Sequence, residues 1–352
     1  MCKRILASQT NTEEGVPFYK IGTIGNAPDA YISKELFDDY KTKYNYPHKG
    51  EVMITCAGTV GKCVIYDGKD AYFQDSNIVW IDNPSQCISN SFLYHLLAKV
   101  DWRKLNSTTI IRIYNDDLRN LKLSYPQIEE QQKISRLLSF LDERIATQNK
   151  IIEDLKKLKS AIIEKLYKGI QGTWYSYRQL FSIINERNKQ LEYSNVLSAS
   201  QERGMVSRED LNLYIHFERS NISTYKIVKN GDYVIHLRSF QGGFAFSEQT
   251  GICSPAYTVL RPNNLLVYGY LSNYFISRDF VKSLIIVTYG IRDGRSINVD
   301  EWLDMKVVIP SKEQQTHIVN VIESIENKIK NEETYSNCLL NQKQYMLRQM
   351  FI

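Results

Sequence analysis

Two long stretches of the chain place apolar residues on a heptad stripe. From Ile134, positions 134, 138, 141, 145, 148, 152, 155, 159, 162 and 166 alternate steps of four and three, and most carry Ile, Leu or another apolar residue. The frame returns at Ile318, Ile322, Ile325, Ile329, Leu339, Met346 and Met350, with Glu332, Ser336 and Lys343 in its polar gaps. The spacing predicts two helices of roughly forty residues, each on the order of 60 Å long. A stripe this narrow cannot bury itself on a lone helix, so the rods are expected to pack on each other. Each starts after a proline, Pro126 or Pro310, with Glu129 or Glu313 near the positive end of its dipole, and the first ends at Gly169 and Gly172.

The rods belong to a longer internal repeat. One offset of 184 residues aligns Pro126, Glu129, Gln131, Ile134, Ile145, Leu155 and Lys159 with Pro310, Glu313, Gln315, Ile318, Ile329, Leu339 and Lys343, without a gap from Pro126 to Lys168. It also pairs Ile113, Asp116, Leu121, Lys122 and Leu123 with Ile297, Asp300, Met305, Lys306 and Val307. A globular segment followed by a helix is thus used twice. The boundaries read 1–126 for a first head, 127–168 for its helix, 169–310 for a second head and 311–352 for the last helix. If the second head lets the chain double back, the rods lie antiparallel as a two-helix coiled coil.

The heads are mixed α+β. Short apolar runs at 52–56, 63–66 and 78–81 predict strands, and 91–98 predicts a helix. The second head answers with 233–237, 257–260 and, for the helix, 269–276. A glycine-containing turn at 57–62 is matched by 238–243.

Composition narrows the class. The 352 residues are 43% hydrophobic and 24% charged, ordinary for globular protein, and no apolar run approaches membrane-spanning length. A cytoplasmic location is the default reading, since 1–4 lead into no signal-peptide core. Cys2, Cys56, Cys63, Cys87, Cys253 and Cys338 show no CxxC and no zinc-finger histidine spacing, which points to buried thiols rather than metal. The net charge of +5 leaves neither half strongly basic, so nucleic-acid binding would need local clustering or a basic partner. The 24 tyrosines suit macromolecular interfaces and strands equally.

Catalytic motifs are not evident. The 56–63 segment imitates a phosphate loop, but Cys56 replaces the first glycine and Cys63 the magnesium-binding hydroxyl of GxxxxGK(S/T). Asn83-Pro84-Ser85 lacks the second proline and aromatic of an adenine-flipping pocket, and no glycine-rich cofactor loop follows a strand. His48, His95, His216, His236 and His317 are scattered.

The tandem unit, the turn Gly50-Glu51-Val52-Met53-Ile54-Thr55-Cys56-Ala57-Gly58-Thr59-Val60-Gly61-Lys62, the segment Phe73-Gln74-Asp75-Ser76-Asn77-Ile78-Val79 and the Pro-x-x-Glu-x-Gln start of each helix resemble the specificity subunit of type I restriction-modification enzymes. The resemblance covers essentially the whole chain. It implies two target-recognition domains with helical spacers, no catalysis and no cofactor in this chain. It further implies double-stranded DNA as ligand, with two modification (methyltransferase) subunits and restriction (translocase/endonuclease) subunits as partners and no membrane. Each head would read one half of a split, asymmetric target.

Candidate DNA contacts are Thr59, Lys62, Gln74, Asp75, Asn77, Arg112 and Tyr114 in the first head, and Arg238, Ser239, Gln241, Tyr257, Arg292 and Arg295 in the second. Gln and Asn can read adenine edges, and Arg reads guanine or holds phosphate. The plainer alternative is that Asp75 and Asn77 hold turns and the arginines make surface ion pairs. Glu129, Gln131, Glu313 and Gln315 are candidates for docking the modification subunits, or no more than helix-start features.

The halves differ in one respect. The second head opens with Trp174-Tyr175-Ser176-Tyr177-Arg178-Gln179-Leu180-Phe181, for which the first has no counterpart, as a truncated, alternative-start or domain-shuffled form would. A two-headed coiled-coil scaffold that reads no DNA, and a nuclease hidden in the heads, are the competing classes. Specific DNA binding with a modification subunit separates the first, and metal-dependent cleavage by the chain alone the second.

Overall fold

The computed structural model describes residues 1–104, 112–200, 203–208, 210, 219–236, 243–289 and 296–350. Two compact units divide the chain, Met1–Asn149 with Thr334–Ile352, and Lys150–Glu333. Both long helices pass from one unit into the other, so the contact boundaries fall within the rods and not at their ends.

Unit 1 runs β1 (Val16–Tyr19), β2 (Tyr31–Ile32), α1 (Lys34–Lys43), β3 (Val52–Thr55), β4 (Cys63–Ile65), β5 (Tyr72–Phe73), β6 (Ile78–Ile81), α2 (Asn90–Lys99), α3 (Asn115–Arg119) and the first part of α4 (Ile128–Tyr167). Its sheets are ordered β2-β1-β5 and β4-β3-β6. All four residues of β3 are buried. Alternation sends Met53 into one core with Phe37, Tyr72 and Phe73, and Val52 and Ile54 into another with Leu93, Leu97 and Trp102.

Unit 2 adds β7 (Thr173–Ser176), α5 (Tyr177–Leu180), β8 (Phe181–Ile184), β9 (Leu197–Ser200), β10 (Gly204–Ser207), β11 (Lys226–Val228), β12 (Tyr233–Ile235), β13 (Phe244–Phe246), β14 (Gly251–Cys253) and β15 (Thr258–Pro262). There follow α6 (Arg278–Ser283), β16 (Thr288–Tyr289), β17 (Ser296–Ile297), α7 (Val299–Asp304), β18 (Lys306–Ile309) and α8 (Lys312–Met350). The order β13-β12-β15-β8 repeats β4-β3-β6 with one strand more. Central β12 splits its side chains as β3 does, with Val234 in one core and Tyr233 and Ile235 in another. The strands expected from the apolar runs form, and so does α2, capped by the Ser89 hydroxyl, which accepts from the Phe92 N–H at 3.4 Å.

Residues 269–276 depart from the expected helix. They form consecutive turns, because Gly269 sits at φ +70° and Tyr270, Leu271 and Phe275 are all drawn into the aromatic core around Trp302. The helix begins only at α6, where the Ser277 hydroxyl accepts from the Phe280 N–H.

The heptad reading holds along the middle of each helix and slips by one residue near the end of the first, where Ile163 and not Ile162 is buried. Leu138, Leu141, Ile145, Ile152, Ile318, Ile322, Ile329 and Leu339 are buried, as are the polar seam residues Gln148 and Ser336. Within unit 1, Leu138 and Leu141 of α4 pack with Met346, Leu347 and Met350 of α8 and with Phe92 and Leu96 of α2. Within unit 2, Ile163 of α4 shares a core with Ile318 and Ile322 of α8. The pairing is antiparallel in each, and it makes one ion pair twice. Lys159 Nζ meets Glu326 Oε1 at 2.5 Å in unit 2, and Lys343 meets Asp142 in unit 1 at the positions related by the repeat. Beside the latter, buried His95 of α2 holds its Nδ1 4.0 Å from Asp142 Oδ2. Burial drives the His95 pKa down to about 4.

Candidate nucleic-acid interface

The turn between β3 and β4 is built by Thr55. Its hydroxyl donates to the Thr59 carbonyl and accepts from the Lys62 N–H at 3.0 Å, while its carbonyl accepts from the Gly61 N–H at 2.8 Å. Gly61 has φ +84°, and a Cβ there would lie 2.2 Å from Trp102 Cδ1, so any larger residue would displace the indole. The turn that looked like a phosphate loop is fixed from beneath by packing, with Thr59 exposed and Lys62 half-buried at its surface.

Three segments singled out in the sequence meet here. The Cys56 N–H donates to the Asn77 carbonyl at 2.7 Å, and the Cys56 carbonyl accepts from the Ile113 N–H at 2.9 Å. Arg112 Nη2 reaches the Ser76 carbonyl at 3.4 Å, and its guanidinium lies 5.9 Å from the centre of the exposed Tyr114 ring. The 57–62 turn, the 74–77 turn and the residues before α3, which carry Thr59, Lys62, Asp75, Asn77, Arg112 and Tyr114, thereby meet at one residue, Cys56. Gln74 also braces the fold: its Oε1 accepts from the Ile21 N–H at 3.3 Å and its own N–H donates to the Tyr19 carbonyl at 2.9 Å. Ser76, at φ 51°, exposes the tip of its turn.

An open groove of about 360 Å³ borders the cluster, lined among others by Gln74, Asp75, Ser76, Asn77, Arg4 and Lys20. Arg4 and Lys20 escaped the sequence reading because neither lies in a motif or on a periodic face. Lys20 is balanced by Asp29 at 3.2 Å. The thiols beneath are poor nucleophiles, since burial raises Cys56 to about 11 and Cys63 to about 12.

In unit 2, Arg238, Ser239, Gln241, Arg292 and Arg295 lie outside the described residues. Tyr257 is half-buried and woven into the framework. Its carbonyl accepts from Lys226 Nζ at 2.7 Å and its ring meets His236 edge-on at 5.1 Å. Burial raises its hydroxyl pKa, against bonds to the Ala199 backbone and Ser198 side chain. A DNA contact through this hydroxyl would have to compete with those bonds. Around it the sequence reading missed Arg208, whose Nε donates to Ser198 Oγ at 3.0 Å and whose guanidinium lies 5.9 Å from the Tyr225 ring. It also missed Lys226, whose pKa is lowered by burial.

Gln131 and Gln315 take a structural role. Gln131 is 0% exposed: its Oε1 accepts from the Ser89 N–H at 2.8 Å, and its Nε2 donates to the Cys87 and Pro126 carbonyls, both at 2.9 Å. Gln315, 1% exposed, repeats the pattern with the Val267 N–H at 2.8 Å and the Leu265 and Pro310 carbonyls, both at 3.0 Å. These carboxamides are spent inside the fold, in keeping with the helix-start alternative, while Glu129 and Glu313 stay exposed. Among the described residues, no group of three or more His, Cys, Asp or Glu could hold a metal ion, and no helix is long and apolar enough to cross a membrane.

Two heads with related strand orders are each packed on paired segments of long helix and carry surface turns. Residues 1–157 match the family model described as type I restriction modification DNA specificity domain. A putative type I restriction enzyme specificity subunit of Haemophilus influenzae is 50% identical over 155 residues, 44% of this chain and 40% of that protein, so the match spans less than half of either. The putative MjaX specificity subunit of Methanocaldococcus jannaschii is 22% identical over 92% of this chain and 84% of its own length. The crystal structure of the type I restriction-modification S subunit from M. genitalium matches all of this chain and 92% of its own at a TM-score of 0.56 and 14% identity, a likeness of fold. A second structure, from work on complex assembly and conformational transition of the type I R-M system, gives 0.57 over 96% of this chain and 91% of its own, also at 14% identity. Residues 1–157 thus match the type I restriction-modification DNA specificity domain, and over most of its length the chain is similar to type I specificity subunits.

Proposed function

We propose that this chain reads a bipartite, asymmetric DNA target, one head to each half-site, and recruits two modification subunits and the restriction subunits that act on it. The observation that carries the reading is the joining of the 57–62, 74–77 and 112–114 segments at the Cys56 peptide. These segments carry the Arg112 guanidinium, the Lys62 ammonium, the exposed Tyr114 phenol and the Asn77 amide, groups suited to phosphate and base-edge contacts, beside the Asp75 carboxylate. The unlike side chains of the two heads account for an asymmetric target, and continuous helices running through both units are a means to hold the half-sites at a fixed spacing. Methyl transfer and base flipping fall to the modification subunits. Arg112, Lys62 and Asn77 are the leading contacts in the first head; Lys226 and Arg208 mark the basic ground near Tyr257 in the second.

Long-read methylation mapping of DNA from cells that express this chain with a modification subunit tests the proposal. A split, asymmetric methylated motif is the expected result. Stable co-purification with no methylated motif would overturn DNA reading by this chain.

A further inference from the structure

Each unit builds the same turn before its central strand, and the two then differ by one charge. In unit 2 the Asp232 N–H donates to the Lys229 carbonyl at 3.0 Å, and Asp232 Oδ2 accepts from the Lys229 N–H at 2.9 Å. In unit 1 Glu51 does the same with His48, at 3.1 Å and 2.7 Å. Both carboxylates lie one step past a matching ladder, in which Tyr233 faces Leu260 and Val52 faces Ile81. That step sets Arg261 opposite Asp232, and its Nε and Nη2 each reach the carboxylate at 2.9 Å. In unit 1 it sets Asp82 opposite Glu51. Two carboxylates facing each other across strands repel, where unit 2 has a bidentate ion pair.

Among the described residues, no lysine or arginine pairs with either carboxylate of unit 1. Glu51 is 9% exposed, and the imidazole near its Oε1, that of His48 at 3.4 Å, lies in solvent. Asp82 and Lys49 make no ion pair, and Lys41 is engaged by Asp70 at 3.2 Å. Alternation puts Glu51 and Asp82 on the face of the sheet that carries Met53 and Trp80. There they line an open groove of about 740 Å³ together with Tyr44, Tyr46, Tyr66 and Trp80. These rings already draw cations, with Lys3 Nζ 5.2 Å from the centre of Tyr44 and Lys41 Nζ 5.1 Å from that of Tyr46.

We propose that this groove binds a guanidinium group, held by Glu51 and Asp82 as Asp232 holds Arg261, with the aromatic side chains against its flat faces. An arginine side chain of another protein and a free guanidino compound share that chemistry. The site lies at the opposite end of β3 from the Cys56 peptide, and the inference does not rest on DNA reading.

Calorimetric titration of the full chain with agmatine, and separately with a blocked tripeptide of arginine between two glycines, tests the site. Saturable binding with a Kd of about 1 mM or tighter is expected, and the citrulline form of the peptide, similar in shape but uncharged, should not bind. Equal affinity for the two probes assigns a free guanidino compound, whereas a preference of about tenfold or more for the peptide assigns a partner's arginine. Asp82→Arg supplies the internal partner that unit 2 possesses, so it should abolish binding and raise the melting temperature. Asp82→Asn, which adds no new pair, should weaken binding roughly tenfold or more. No saturable binding of either probe, or binding that Asp82→Asn leaves unchanged, overturns the proposal.

Discussion

Gln131 and Gln315 each satisfy three backbone groups from inside the protein, so replacing either with Ala strands buried donors and acceptors. A loss of about 1–3 kcal/mol per substitution is expected in chemical denaturation. His95 supplies a pH signature. Its folded pKa of about 4 lies below the ordinary 6.5, so in this window the unfolded chain binds the proton and the folded chain does not. The contribution of His95 to stability is complete above pH 6.5 and declines as pH falls toward 4. Melting curves across that range should show the decline, and His95→Gln should flatten it. At the proposed DNA surface, Lys62→Ala and Arg112→Ala in the assembled complex should each reduce the salt dependence of binding by about one unit of log–log slope if they hold phosphate, and Asn77→Ala should leave it unchanged. Binding titrations over salt concentration distinguish the roles.

At the scale of elements, the antiparallel register gives the repeated pairs Asp142–Lys343 and Lys159–Glu326. Reversing one charge with Asp142→Lys should cost on the order of 1 kcal/mol, partly recovered by adding Lys343→Asp; a double-mutant cycle in urea reads the coupling. The rods were legible because burial of Leu138, Ile145, Ile322 and Leu339 obeys a local period. Strands β3 and β12 were legible as continuous apolar runs. The segment 269–276 was not, since aromatic side chains demanded by a distant core outweigh its helical pattern. The glutamine clamps were equally hidden, for a polar residue near a helix start reads as surface until the loop it binds is known.

For the whole molecule, the repeat and the resemblance to specificity subunits were readable in the sequence, and the meeting of three separate segments at Cys56 was not. Hydrogen bonds across 36 residues, such as Arg112 to Ser76, leave no local pattern. On the proposed reading, inserting one heptad into α4 and one into α8 at repeat-related positions lengthens the rods by about 10 Å, or about three base pairs of B-DNA. The methylated motif should keep both half-sites and gain that many unspecified bases, as methylation mapping would reveal.

The two glutamine clamps have an evolutionary corollary. Each carboxamide grips only peptide N–H and C=O groups, and every residue offers the acceptor carbonyl whatever its side chain. The bonds that join head to helix therefore make no demand on the side chains of the loop they hold. Side chains elsewhere in the head can then change without a compensating change in the helix, so a lineage can alter a head's surface while inheriting its mounting unchanged.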